Sequence, residues 1–208
     1  MNIYLNPDQL VPSMCLGTMN VPLIDLVAAQ CVFANHGVYT KPTMVERIED
    51  KNGNVIYSAD QVTNQVVNSS VAYEVLKLMK GVIQRGTGAS LRGSYNAWGG
   101  INYPTAGKTG TTQGNAVGLF MGLTPDLVTG VSTAGLNKNI AFEYTSDGQG
   151  ARMALPVYGY YMQKIYADPG LKISKGEFTK PLDYIPEKFE CNDDHLPTDD
   201  PNLEFGEF

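Results

Sequence analysis

Apolar positions along the chain fall into segments of different period. From Leu23 to Ala34 they recur at Leu23, Leu26, Val27, Cys31 and Ala34, the spacing of one helix face. Pro22 suits the first turn, Asn20 is placed to cap it and Gly37 follows the end, so the spacing predicts a helix over residues 22–36. A second stripe, Val71, Val75, Leu78, Met79 and Val82, leaves Glu74, Lys77 and Lys80 off it and predicts a helix over 70–85. Ser69 or Ser70 can cap that helix, and Gly86-Thr87-Gly88 stops it. A third stripe, Leu155, Val157, Tyr158, Tyr161, Met162 and Ile165, predicts a helix over 151–167 with Pro156 near its start. Residues 39–57 read as a hairpin, with Met44, Val45 and Ile48 in one strand and Val55 and Tyr57 in the other. Its turn is Lys51-Asn52-Gly53-Asn54, because Asn-Gly tolerates positive φ. Residues 106–132 read as strand, turn and strand, with a turn at Thr124-Pro125-Asp126. Residues 1–21, 86–105 and 133–150 read as loop.

Composition adds bounds. A length of 208 residues, 43% of them apolar, allows one domain with a core plus a tail. The net charge of −6 is unevenly placed: nine acidic residues and one lysine after Lys180 give that stretch −8, leaving the rest near +2. No basic patch stands out, which argues against nucleic acid as a partner. From Asp168 onward the chain is Pro- and Asp-rich and reads as a tail, extended along the surface or disordered. Cys15, Cys31 and Cys191 form no metal spacing, and His36 and His195 lie far apart, so no metal or other cofactor is expected. Cys31 reads as a small core residue and His36 as a residue at a helix C-terminus. No run of 18 apolar residues is present to span a membrane, and the first residues lack a basic and apolar pattern, so neither a transmembrane helix nor a secretion signal is expected in these residues.

The candidate chemistry lies in Ala106-Gly107-Lys108-Thr109-Gly110-Thr111-Thr112. Gly107-Lys108-Thr109 matches the end of a phosphate-binding loop, but Asn102 stands where that motif needs glycine, and a strand rather than a helix follows. The better reading is a strand beside a pocket. Lys108 supplies positive charge, and Thr109 and Thr111 alternate about Gly110, so both hydroxyls share one face. A lysine with two hydroxyls suits a carboxylate. Gly110 lets a peptide lie close against the strand edge.

Those residues match the K-T-G element of penicillin-binding proteins and serine β-lactamases. The wider order resembles the C-terminal part of the transpeptidase domain of class A penicillin-binding proteins. The similar segments are Pro12 to Thr18, Phe33 to Tyr39, Arg47 to Asp50 with Gly53 to Tyr57, and Gly86-Thr87-Gly88. Ala106 to Thr112, Leu123 to Val128 and Ala154 to Tyr158 continue the series, so the resemblance covers about residues 3–167. It implies an α+β fold, an antiparallel sheet with packed helices, whose N-terminal serine-bearing part is missing. Residues 1–167 then form the domain portion and 168–208 an acidic tail. It also implies a D,D-transpeptidase that crosslinks peptidoglycan stem peptides through a serine acyl-enzyme and binds β-lactams. The resemblance gives Lys108 a catalytic, electrostatic role and gives Thr109, Gly110 and Thr111 substrate binding. It implies a periplasmic or cell-surface location, with no anchor in this chain. Implied partners are a stem peptide or β-lactam, and the missing part of the domain or a second copy.

The sequence departs from the family pattern in three ways. No serine is followed by lysine three residues later, so the chain offers no Ser-x-x-Lys nucleophile and alone is expected to be inactive. Ser94-Tyr95-Asn96 spells Ser-x-Asn, yet lies about a dozen residues before Lys108 rather than far upstream, and reads as a chance match. Val117 and Leu119 stand where the family commonly has Asp and Trp, and Ser132 where it has Trp. The alternative these departures open is a non-catalytic relative that binds cell-wall peptide or a protein partner.

Overall fold

A computed structural model describes residues 3, 5, 7, 10–137, 139–182, 184 and 186. Expectations about Cys191, His195 and the end of the acidic tail lie outside these residues. The chain forms α1 (Leu23–Ala34), β1 (Val38–Thr40), β2 (Arg47–Glu49), β3 (Val55–Ser58), β4 (Thr63–Gln65) and α2 (Ser69–Gln84). After a long connection come β5 (Ala106–Thr111), β6 (Val117–Leu123), β7 (Val128–Ala134), α3 (Thr145–Gly148) and α4 (Gly150–Ala167).

The centre is a three-stranded antiparallel sheet in the order β5-β6-β7. Alternation along β6 decides what each face meets. Gly118, Phe120 and Gly122 face α4: a Cβ at Gly122 would lie 2.3 Å from the Tyr158 ring, and one at Gly118 would lie 2.8 Å from Met153 Cβ. Between the two glycines Phe120 is wholly buried against Tyr158, with ring centroids 4.9 Å apart. Met121 faces the other way, toward Gly130 of β7, over which Val27 and Leu23 of α1 close. The β6–β7 turn stands at Thr124-Pro125-Asp126 as expected. The buried Thr124 hydroxyl closes it, accepting from the Leu127 N–H at 3.1 Å and lying 3.0 Å from the Leu127 carbonyl.

The long connection after α2 is irregular, yet it supplies Leu91, Trp98 and Ile101 to the core. The Trp98 ring covers Gly159 of α4, and its N–H donates to the Leu91 carbonyl at 3.0 Å. Period-based reading cannot see such a plug, because its apolar residues are isolated among glycines.

Several local expectations are corrected. The buried face of α2 is Ala72, Leu76, Met79 and Ile83, whereas Val71 and Leu78 are 53% and 68% exposed. This helix carries two apolar stripes, and periodicity alone does not say which meets the sheet. Asn68, not Ser69 or Ser70, caps α2 by accepting from the Ser70 N–H at 2.8 Å. Pro22 is the N-cap position of α1, with no side-chain cap, so Asn20 plays no part. Helix α1 ends before His36, which has φ 51°. Gly37 follows at φ 88°, where a Cβ would collide with the Val67 carbonyl. Cys31 is half-buried rather than sealed in the core, and burial pushes its thiol up, away from the reactive thiolate form.

The predicted hairpin exists as β2–β3, but Met44 and Val45 lie before it, and β1 pairs instead with β4, a strand the pattern did not reveal. The Asp50 carboxylate organises its turn, accepting from Asn52 N–H at 2.8 Å, Asn54 N–H at 2.9 Å and Asn54 Nδ2 at 2.8 Å. These bonds, that of the Asn54 side chain first, hold the carboxyl below its ordinary range.

The described residues after Asp168, 169–182, 184 and 186, include several that are tied to the rest of the fold. The Ser174 N–H donates to Asp126 at 2.7 Å, Lys80 pairs with Glu177 at 2.6 Å, and Phe178 is 6% exposed in the core. Tyr184 stands edge-on to Tyr73 at 5.0 Å. The packed unit therefore continues past Ala167. Among the described residues no helix is long and apolar enough to cross a membrane.

Candidate functional site

Strand β5 is an outer strand of the sheet, and its pairing decides what it presents. The Thr112 N–H donates to the Val117 carbonyl, so the bonded positions of β5 are the even ones, and Gly107, Thr109 and Thr111 turn their N–H and C=O groups outward. Gly107 is buried, and a Cβ there would lie 2.9 Å from Ile83 Cδ1 of α2. Thr109 is half-buried and Thr111 exposed, so the edge opens from Thr109 onward.

The four predicted site residues are all on this open stretch. Lys108 is exposed, shares a face with Met121, and donates from Nζ to the outward carbonyl of Thr109 at 2.6 Å. Thr109 and Thr111 lie on the opposite face, as the alternation requires, and each hydroxyl already has a protein partner. The Thr109 hydroxyl is 2.7 Å from that of Thr87. The Thr111 hydroxyl accepts from the Gly150 N–H at 3.1 Å, so it caps the start of α4 from across the chain. Gly110 has a second reason to be glycine: a Cβ there would stand 3.1 Å from Leu119 Cβ. Gly150 must also lack a side chain, since a Cβ would lie 2.3 Å from the Gly110 carbonyl and 2.4 Å from that of Leu119. Helix α4 thus rests directly on the β5–β6 ladder and fixes the height of the Lys108 strand.

Thr87 and Gly150 were not singled out from the sequence. The only signal for Thr87 was the Gly-Thr-Gly turn, which reads as a helix stop. Asn96, of the Ser-x-Asn match, donates back to the Ser90 carbonyl within its own loop. Leu119 and Ser132, two of the departures from the family pattern, are direct cross-strand neighbours, in line with Gly110 and on the Lys108 face. Val117 pairs with Ala134 on that same face. The phosphate-loop reading fails here also, because Gly107-Lys108-Thr109 lies within a strand rather than at a helix start. Among the described residues no group of three or more His, Cys, Asp or Glu side chains could hold a metal ion.

Comparison with known proteins identifies the family and the fold. The family described as the penicillin binding protein transpeptidase domain matches residues 8–151, more than half of the chain. Penicillin-binding protein 1A of Aquifex aeolicus is 32% identical over 160 residues, 76% of this chain and 21% of that protein. Penicillin-binding protein 1B of Haemophilus influenzae is 31% identical over 154 residues, 74% of this chain and 18% of that protein. The chain therefore spans about a fifth of the length of these relatives. Among solved structures, penicillin-binding protein 1A of Haemophilus influenzae superposes with a TM-score of 0.68 at 20% identity, covering 86% of this chain and 30% of that one. The PonA1 protein of Mycobacterium tuberculosis in complex with penicillin V gives 0.68 at 24% identity, covering 86% and 47%. At these identities the superpositions speak for the fold: helices on an antiparallel sheet. The family match over residues 8–151 shows that the chain belongs to the penicillin-binding protein transpeptidase domain family.

Proposed function

We propose that this chain carries the carboxylate-binding strand of a D,D-transpeptidase domain that crosslinks peptidoglycan. In this reading a stem peptide ending in D-Ala-D-Ala, or a β-lactam that imitates it, lies along the open edge of β5. Its backbone pairs with the outward N–H and C=O of Thr109 and Thr111, as peptides add to free sheet edges. Its carboxylate is drawn by the Lys108 ammonium and the hydroxyls of Thr109 and Thr111, since charge-assisted hydrogen bonds are the strong ones. The observation that carries the reading is an unpaired strand edge, in a chain of this family, on which the Lys108 ammonium reaches the outward Thr109 carbonyl and two threonine hydroxyls stand at the adjoining positions.

The chemistry is acyl transfer by a serine acyl-enzyme, and this chain contributes binding and electrostatic support to it. No Ser-x-x-Lys occurs in the 208 residues, so the chain by itself binds without turnover. The site faces the cell-wall side of the membrane. A second reading, a non-catalytic relative that binds the same ligand, is favoured by Leu119 and Ser132 lying side by side next to Gly110.

Titration calorimetry with an acyl-D-Ala-D-Ala peptide and with penicillin V tests the proposal. The wild-type chain binds both and ignores the L-Ala-L-Ala isomer, and Lys108→Ala lowers affinity about tenfold, the range for a charged hydrogen bond. Equal affinity in wild type and Lys108→Ala would remove the basis of the reading.

A further inference from the structure

We infer that Thr87 is a positioning residue of this binding edge: its hydroxyl orders the Thr109 hydroxyl as a donor to the ligand carboxylate. The inference rests on the reading above. The Gly86-Thr87-Gly88 turn is locked to the end of α2, with Gly86 N–H donating to the Gly81 carbonyl at 3.1 Å and Gly88 N–H to the Val82 carbonyl at 3.0 Å. A Cβ at Gly86 would lie 2.8 Å from Val82 Cα, and one at Gly88 would lie 2.8 Å from Ile83 Cδ1. The same Ile83 Cδ1 would lie 2.9 Å from a Cβ at Gly107. Ile83 is thus wedged between the turn and β5 and sets their separation. Thr87 is the one side chain of the turn, and it reaches the strand where the edge opens.

At 2.7 Å the Thr87–Thr109 contact is a full hydroxyl–hydroxyl hydrogen bond. Each hydroxyl has one proton to give and two lone pairs. One proton lies between the oxygens, and the other is left for a further acceptor. With a carboxylate at the edge, the favoured arrangement has Thr87 donating to Thr109 and Thr109 donating to the ligand. A donor that also accepts a hydrogen bond is polarised, so its bond to the anion is stronger. Without Thr87 the Thr109 hydroxyl rotates freely and loses this direction. A neutral ligand group gains much less from the arrangement, so the effect falls on the carboxylate.

The test compares the affinity of an acyl-D-Ala-D-Ala peptide with that of its C-terminal carboxamide, on the full 208-residue chain. The wild type prefers the carboxylate. Thr87→Val, which keeps the shape and removes the hydroxyl, reduces that preference about three- to tenfold, the range for one hydrogen bond. Thr87→Ser restores it, and all three chains have the same thermal midpoint. An unchanged preference in Thr87→Val, or failure of Thr87→Ser to restore it, overturns the role of Thr87 while leaving the edge as the binding site. A wild type without any carboxylate preference overturns both.

Discussion

Strands β5–β7 and strands β2–β3 are both antiparallel, yet they are held by different forces. In the central sheet one face is sealed by α4, with Phe120 fully buried and glycines at 118 and 122 admitting the helix backbone. In the hairpin every strand residue is exposed, including Ile48, Val55, Ile56 and Tyr57. What holds it is the turn, through three bonds to the Asp50 carboxylate. An isolated hairpin is marginal in water. The proposed ligand strand belongs to the packed region, where α4 sets side-chain positions on one face and the outer edge is left open. Rigid support with a free edge is what recognition of an extended peptide needs.

The sharpest way to break this contrast is a pair of truncations. Phe120→Ala is expected to cost about 3–5 kcal/mol, as large buried aromatics do, whereas Ile56→Ala stays within about 0.5 kcal/mol. Denaturant unfolding measures both, and similar losses would erase the distinction. Next comes Gly150→Ala, whose added methyl meets the carbonyls of Gly110 and Leu119. Forcing α4 off the ladder is expected to cost about 1–3 kcal/mol and to weaken ligand binding in the same variant, since the Lys108 strand moves with it.

A smaller effect concerns the α4 face itself. The Tyr158 hydroxyl is buried with no hydrogen-bond partner among the described residues, and burial raises its pKa well above the ordinary value of 10.0. Burial likewise pushes Tyr166 up to about 12. The folded chain keeps protons that the unfolded chain loses above pH 10. Stability is therefore full below that pH and falls as pH rises from there toward about 12. Tyr158→Phe should gain up to about 1 kcal/mol at neutral pH, the range for relieving an unpaired buried hydroxyl, and should flatten the alkaline loss. A destabilised Tyr158→Phe would mean the hydroxyl has a partner. The weakest expected effect is self-association. Exposed Ile48, Ile56 and Tyr57, with Val71 and Leu78 on α2, favour dimers or larger assemblies at high concentration. Light scattering reads this directly, and a monodisperse monomer throughout would contradict it.

Much of the central region was legible in the sequence. The apolar, glycine-punctuated run through β6 and the Thr124-Pro125-Asp126 turn give the strands, and the lysine flanked by hydroxyls gives the candidate site. The parts that escaped depend on contacts distant in sequence. Nothing local in Thr87 announces Thr109, and nothing in Gly150 announces the carbonyls of β5 and β6. Trp98 reads as a lone aromatic in a glycine-rich loop until Gly159 is set beneath it. On α2 the stripe was misassigned because two apolar faces of equal regularity compete, and the choice between them is made by the sheet. Lys108 stood out as a candidate because it lies in a Lys-Thr-Gly element among small and hydroxyl residues, a local pattern visible whatever the tertiary structure.

The account turns on the open edge of β5 as the ligand strand. Its most direct test is residue-resolved amide NMR of the chain during addition of an acyl-D-Ala-D-Ala peptide. The predicted result is shifts and slowed exchange at the outward N–H groups of Thr109 and Thr111, with the β2–β3 hairpin silent. Shifts confined to the β2–β3 hairpin, with β5 unchanged, would contradict it.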